Sequence, residues 1–351
     1  MVRIGIVGIG FMGMTHYRGA QKVRGGKVTA ICTRDPKKLK GDWRGIRGNF
    51  GDPGGKENLK GIKTYDNVDD LLADPDIDLV NICLPSALHK QVTIKALKAG
   101  KSVLLEKPIA LTLKDADQMV AAAKKAKQLL MVAQVLPFVP EFAYVRKVVE
   151  EKTYGKLLGA HFKRIISQPD WSTEFSNMAR SGGPGVDLHV HDTHFILLLC
   201  GVPDSVVSSG RLVRRKYAEY LATTYRYKKN PDLVVTCASG AISKSGREFT
   251  HGFEVYLEKA TLLYEFATLG GKPELLMPLT VLTADGKVKK PKLPSGNPVV
   301  AFTQEIQAAV NAVSGKAKVI PELSGELAAD ALRLCFKEVE AVKSGKAVAV
   351  R

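Results

Sequence analysis

Cysteine and tryptophan are scarce in this chain, and long apolar runs are missing. The five cysteines, Cys32, Cys83, Cys200, Cys237 and Cys335, are odd in number and widely spaced, with no C-x-x-C pair among them. That excludes a disulfide framework and points to reduced, buried thiols of a cytoplasmic protein. No stretch approaches the ~18 uninterrupted apolar residues of a membrane span. The apolar start, Ile4 to Met14, is broken by Gly5, Gly8, Gly10 and Gly13, and reads as a glycine loop, not a signal peptide. Acidic residues are also short, 35 against 52 Lys and Arg, for a formal net charge of +17. Such an excess raises nucleic acid as a partner, because phosphate binding is carried by Lys and Arg. Here the basic residues are scattered singly or in pairs (Lys37 and Lys38, Lys124 and Lys125, Lys228 and Lys229) with no aromatic platform. We read a solvated basic surface, with neither nucleic acid nor membrane as a partner.

What is present is length and pattern. The 351 residues exceed the roughly 250 to 300 at which a single core stops growing, so two domains are expected, with a cut near residue 135. Over residues 1–135, short apolar runs alternate with helical patterns. Strands are expected at Arg3 to Val7, Val28 to Cys32, Ile62 to Tyr65, Leu79 to Leu84, Ser102 to Leu105 and Leu129 to Val135, forming a doubly wound parallel sheet. Ser86 and Thr112 are expected to cap helices. The stretch Gly41 to Gly61 holds seven glycines and reads as a long surface loop. Residues 136–351 are expected to form an α+β domain with a large, mostly antiparallel sheet. Its strands are read at Leu157 to Ser167, Val206 to Val213, Leu221 to Tyr227, Leu233 to Ala238, Phe253 to Leu257 and Leu262 to Phe266. Helices are expected at Glu141 to Lys152, Phe302 to Val313 and Leu323 to Val342.

The segment Gly8-Ile9-Gly10-Phe11-Met12-Gly13 follows a predicted strand and opens a predicted helix, the context that makes G-x-G-x-x-G a dinucleotide signal: backbone approaches the pyrophosphate, whose charge meets the helix N-terminus. At the tip of the second strand stands Thr33-Arg34-Asp35. Thr33 brings no charge against a 2'-phosphate and Arg34 can pair with one, which favours NADP, while Asp35 keeps NAD possible. Glu106-Lys107-Pro108 follows the fifth strand, at the sheet edge where ligands of this fold bind. Farther on, a helix starting near Asp187 would carry Asp187, His191 and His194 on one face, with His189 and Asp192 elsewhere. Three histidines and two acids invite a metal, but the spacing lacks a zinc-ligand pattern, so no metal is expected. Acid/base work by a histidine is the preferred reading, with His189 better read as buried than His191.

Together, VGIGFMG at 7–13, VNICLPSALH at 80–89, AGKSVLLEKPIALT at 99–112 and SGGPGVDLHVHDTHFILLLCG at 181–201 make the chain similar to the glucose-fructose oxidoreductase, inositol dehydrogenase and rhizopine catabolism (Gfo/Idh/MocA) family. The resemblance implies an N-terminal Rossmann domain and a C-terminal domain whose open sheet supports a homodimer or homotetramer. It carries the family's catalytic Lys onto Lys107, its His onto His191 and the accompanying Asp onto Asp187. The dinucleotide is then expected against Gly8, Gly10, Phe11, Met12, Gly13, Thr33, Arg34, Leu84, Pro85, His89, Glu106, Lys107 and Gln134. The substrate, a sugar, cyclitol or other polyhydroxy alcohol or its ketone, is expected against Lys107, Trp171, Asp187, His191 and His194. Two departures stand out: His194 where the family commonly has Asp, and Pro137 where a basic residue is often seen. Two alternatives use the same scaffold: a non-catalytic sensor of dinucleotides, and a redox-assisted glycoside hydrolase that returns its nicotinamide unchanged.

Overall fold

The computed structural model describes residues 1–48, 52–168, 177–294 and 299–350. Two compact units emerge, Met1–Phe138 with Gly296–Ala329, and Val139–Ser295 with Asp330–Arg351.

In the first unit, six strands, β1 (Val2–Val7), β2 (Gly26–Cys32), β3 (Lys63–Tyr65), β4 (Leu79–Ile82), β5 (Ser102–Glu106) and β6 (Leu130–Ala133), form one sheet in the order β3-β2-β1-β4-β5-β6. Every pair is parallel. Strands covered on both faces favour apolar residues throughout, and β6, Leu130 to Ala133, is apolar and buried at all four positions. Strand order reverses between β1 and β4, so the carboxyl edge opens its crevice there. The helices are α1 (Phe11–Ala20), α2 (Pro36–Leu39), α3 (Val68–Ala73), α4 (His89–Lys98) and α5 (Leu113–Ala126). Thr112 caps α5 by accepting from the Asp115 amide, as expected. Ser86 does not cap a helix; it opens a 3-10 turn, Ser86–Leu88, and α4 starts at His89.

A cut at residue 135 leaves out one helix of this unit. The segment Val299–Val313, here α10, packs on α1: the Phe302 ring lies 5.6 Å from that of His16. A Cβ on Gly19 would stand 3.2 Å from Ile306 Cδ1, so the absent side chain is what admits the helix. The loop from Gly41 is also tied to α1. Trp43, fully buried, meets Tyr17 edge-on at 4.9 Å and donates from Nε1 to Lys38 O at 2.9 Å.

The second unit holds a nine-stranded sheet of β7 (Leu157–Ser167), β8 (Ser205–Val213), β9 (Tyr217–Arg226), β10 (Val234–Ser243), β11 (Arg247–Leu257), β12 (Ala260–Leu269), β13 (Lys272–Thr283), β14 (Val288–Lys289) and β15 (Val348–Ala349), in the order β14-β13-β12-β11-β7-β10-β9-β8-β15. Only β7 and β10 pair in parallel. Alternation sets the faces: Ala160, Phe162, Arg164 and Ile166 of β7 are buried. With them lie α6 (Pro140–Glu150), α7 (Met178–Ser181), α8 (Pro184–Asp187), α9 (Val190–Cys200) and α11, Gly325–Ser344, most of which belongs to this unit. Phe142 and Phe195 meet edge-on at 5.1 Å in that core. The other face carries Val234, Ile242 and Tyr256, each exposed. Strand β13 is absent from the sequence reading because Pro273 and Pro278 hide its alternation. They are tolerated toward the sheet's rim, where only the two-residue β14 lies beyond.

Candidate active site

From β1 the chain turns through Gly8, at φ 95°, into α1. A Cβ on Gly8 would come 2.5 Å from Cys83 O, and one on Gly13 1.9 Å from Gly8 O, so the loop closes on itself only with glycine at both. Gly10 differs, with no heavy atom within 4 Å of its would-be Cβ. An open floor therefore fronts the helix start, where unpaired N–H groups and the positive dipole end favour an anion. Beside it, Asp35 is committed: its Oδ1 accepts from the Lys37 and Lys38 amides at 2.9 and 3.4 Å, capping α2. Arg34 is exposed, and Lys38 Nζ donates to Ile9 O at 2.8 Å, inside the glycine loop. Phe11 is overlain by Gly48, whose would-be Cβ stands 2.0 Å from the ring.

At the carboxyl edge, Leu84 and Pro85 follow β4, and Gln134 follows β6. Gln134 is fully buried with both amide atoms unpartnered, an arrangement that calls for a further hydrogen-bonding group at this place. His89 departs from the expected role. Its Nδ1 and Nε2 each lie 2.8 Å from a carbonyl oxygen, those of Pro108 and Leu84, and burial lowers its pKa. A neutral imidazole has one N–H, so His89 donates to one of these two turns and packs against the other. Glu106 is buried, and its Oε2 accepts from the Lys107 amide at 3.1 Å. Behind it, Asn81 Nδ2 donates to His16 Nδ1 at 2.8 Å, and His16 Nε2 lies 2.8 Å from Glu106 Oε1. Glu305 Oε2 lies 3.9 Å from the same Nε2. Burial, with the Glu106 charge second, pushes the Glu305 carboxyl well above its usual range.

In the second unit α8 ends at Asp187 and α9 begins at Val190, so the expected single helical face is broken by a turn at Leu188 and His189. The exposure pattern is selective nonetheless: from Gly183 to Leu197 only Asp187 and His191 are not fully buried. His194, expected at the substrate, is 0% exposed with both ring nitrogens unpartnered, and burial lowers its pKa to about 3. It is a neutral imidazole at physiological pH. His189 and Asp192 turn into the core. Asp192 accepts from Arg164 Nε at 3.0 and 3.1 Å, and His189 Nε2 pairs with Glu338 Oε2. Ligand atoms of His189, Asp192 and Cys237 cluster, but the Arg164 cation already holds the carboxylate that a metal would need.

The model of the NAD-binding Rossmann-fold oxidoreductase family matches residues 2–134, and that of the GFO/IDH/MocA C-terminal domain matches 142–263. The chain belongs to the Gfo/Idh/MocA oxidoreductase family. An inositol 2-dehydrogenase of Rhizobium meliloti is 26% identical over 338 residues, 94% of each chain. A 1,5-anhydro-D-fructose reductase of Ensifer adhaerens is 30% identical over 196 residues, 55% of this chain and 54% of that one. The chain spans about half the length of several curated relatives that it matches. Two crystal structures share the fold: an oxidoreductase from Agrobacterium radiobacter in complex with NAD+, L-tartaric acid and magnesium (TM-score 0.77, 19% identity, 99% of this chain and 98% of that one), and an aldose-aldose oxidoreductase from Caulobacter crescentus complexed with glycerol (TM-score 0.79, 20% identity, 99% of both).

Within this Gfo/Idh/MocA chain, Trp171 and the polar run Ser172, Thr173 and Glu174 lie outside the described residues. Sequence reading passed over His16, Arg164 and Glu338, while Lys38 was read with Lys37, Arg44 and Arg47 as positive charge near the adenosine end. His16 could have been found as an imidazole three residues beyond Gly13, and Arg164 as a charge on the apolar face of an alternating strand. A groove of about 330 Å³ lined by Val120, Lys124, Leu129, Leu130, Val319 and Glu326 opens at the amino edge of the parallel sheet, opposite the glycine loop. Among the described residues, no helix is long and apolar enough to cross a membrane.

Proposed function

We propose that the chain is a dehydrogenase that prefers NADP and oxidises a sugar, cyclitol or related polyhydroxy alcohol, or reduces the matching ketone. The observation that carries this reading is the selective exposure of Asp187 and His191 in a segment otherwise buried from Gly183 to Leu197. A stretch built only for packing has no reason to leave an acid and an imidazole alone half-buried. The residues present fit a dinucleotide: Gly10 leaves an open floor at a helix start, and Gln134 has a buried amide without partners. When bound, the nicotinamide supplies the hydride acceptor or donor. Lys107 hydrogen-bonds the reacting oxygen and stabilises its developing negative charge, while His191 takes or returns the hydroxyl proton and Asp187 orients it. Preference for NADP follows from charge at the adenosine end. Asp35 Oδ1 is engaged in capping α2, and Arg34 and Lys38 bring cations beside it. Relatives named as inositol dehydrogenases and an anhydrofructose reductase support the substrate class. Self-association through the sheet face bearing Val234, Ile242 and Tyr256 belongs to the same reading.

The test is a panel of sugars and cyclitols, each with NADP and with NAD, followed at the absorbance of the reduced nicotinamide. Net reduction with at least one polyol, faster with NADP, is expected. No turnover with either cofactor would overturn the reading, and substrate conversion without net reduced cofactor would transfer the chain to the redox-assisted hydrolase class.

A further inference from the structure

Four charged residues are buried together in the second unit, and no step of the chemistry above uses them. Asp192, 2% exposed, pairs with Arg164 of β7, 4% exposed, and His189 pairs with Glu338 of α11, both 0% exposed. His189 Nδ1 also lies 4.0 Å from Asp192 Oδ2, which joins the two pairs into one chain of alternating sign. Thr193 Oγ1 adds a bond to Ala331 O at 3.3 Å, and the Asp192 and Thr193 amides both donate to His189 O. The first turn of α9 is therefore tied on one side to the sheet and on the other to α11. Between the two tied residues stands His191, which is half-buried.

We propose that His189 and Asp192 are positioning residues for His191, fixing the rotation of the first turn of α9 through paired buried charges that run to β7 and α11. The inference rests on the reading of His191 as the acid/base group. Apolar residues of similar volume would hold this helix in the core as firmly, since burying ions costs solvation that their pairing barely recovers. What apolar packing lacks is direction. A carboxylate bonded twice by one guanidinium nitrogen and an imidazole aimed at one carboxylate oxygen resist rotation of the turn, and a catalytic imidazole misaimed by about 1 Å loses rate steeply. The groups facing His189 are Glu338 from α11, Asp192 on its own helix, Arg164 from β7 and Cys237 from β10, with Tyr225 of β9 beside Glu338. Burial opposes a charge on His189, but Glu338 and then Asp192 outweigh it, so its pKa is raised. Burial pushes the Cys237 thiol and the Tyr225 hydroxyl up, leaving both neutral.

Two measurements on the full chain test this. First, with histidines labelled at ¹³Cε1 and the His189 signal assigned by its loss in His189→Asn, His189 should titrate above the ordinary histidine value near 6.5, and Glu338→Gln should bring it down. A midpoint at or below the ordinary value overturns the charged clamp whatever the substrate. Second, on the polyol found in the panel, Glu338→Gln and Asp192→Asn should each lower kcat per folded protein about tenfold or more, leave KM for NADP within about twofold, and shift the pH profile of kcat. Arg164→Lys, which keeps the charge and serves if the other variants fail to fold, should retain more of kcat than Arg164→Ala. Wild-type kcat in all these variants, with only the melting temperature lowered, sinks the positioning role alone. No polyol turnover by the wild type sinks the functional reading, and this role with it.

Discussion

Both units bury an ionisable cluster behind the group read as catalytic, and the two clusters are balanced differently. Behind Lys107, two carboxylates, Glu106 and Glu305, share one imidazole, His16. Beside His191, two anions, Asp192 and Glu338, face two cations, Arg164 and His189. The same low-dielectric surroundings act oppositely on them. In the anion-rich cluster burial and the Glu106 charge push the Glu305 carboxyl up, whereas in the balanced cluster Glu338 and Asp192 push the His189 imidazole up against burial. Charge balance therefore decides whether a buried cluster stores a proton or a pair of ions.

Removing one partner from the balanced cluster should have the largest effect. Glu338→Gln leaves His189 and Arg164 facing a single anion, and breaking a buried pair in this way costs about 3 to 5 kcal/mol. At roughly 2 to 4 °C per kcal/mol for a domain of this size, the melting temperature should fall by about 6 °C or more. A loss below about 2 °C would show that the second cluster is not an ion pair network, and the contrast would collapse.

The contrast also requires that each cluster serve a working group. Lys107→Ala and His191→Ala should each lower turnover by roughly 100-fold or more. Dinucleotide affinity, measured by calorimetry, should stay nearly unchanged in both. Near-wild-type turnover in either variant would detach that cluster from catalysis.

The first unit was far more legible than the second. Its parallel strands are buried on both faces, so they read as short apolar runs, and all six appear within two residues at each end. The glycine loop declared its chemistry because sterics at Gly8 and Gly13 leave no other residue. Long-range closure was not legible: nothing local to Phe302 or Glu305 says that they pack on α1, nor could spacing alone pair His189 with a residue 149 positions away. His89 misled for the same reason, since a histidine beside a ligand edge looks alike whether its nitrogens meet a cofactor or two backbone carbonyls. Asp187 and His191 were proposed from a motif and not from geometry, and the helix expected to align them is interrupted.

Rim charges offer a further contrast, because solvent reaches them. Arg34→Ala should weaken NADP roughly tenfold or more and NAD much less, and Lys38→Ala should act in the same direction. Calorimetric titration of both dinucleotides checks this. Tighter binding of NAD than NADP by the wild type would show that Asp35 governs the pocket despite its capping role.

The expected effect that is sharpest in sign concerns the first cluster. The Glu305 carboxyl is raised well above its usual 4.5 by burial and then by the Glu106 charge. A folded-state pKa above the unfolded one contributes stability that is complete below the unfolded value and is lost as pH rises toward and through the folded value. Glutamine mimics the protonated form at every pH, so Glu305→Gln should melt close to the wild type at pH 5. Its advantage should then grow toward pH 8, by at most about 1.4 kcal/mol per pH unit while the folded group keeps its proton. Glu338→Gln should show the reverse, a deficit across the same range, because that position holds a charge. Thermal melts of both variants and the wild type at pH 5, 6, 7 and 8 separate the cases. A Glu305→Gln difference that does not change with pH would mean that Glu305 is ionised in the folded protein, and the contrast between the two clusters would collapse.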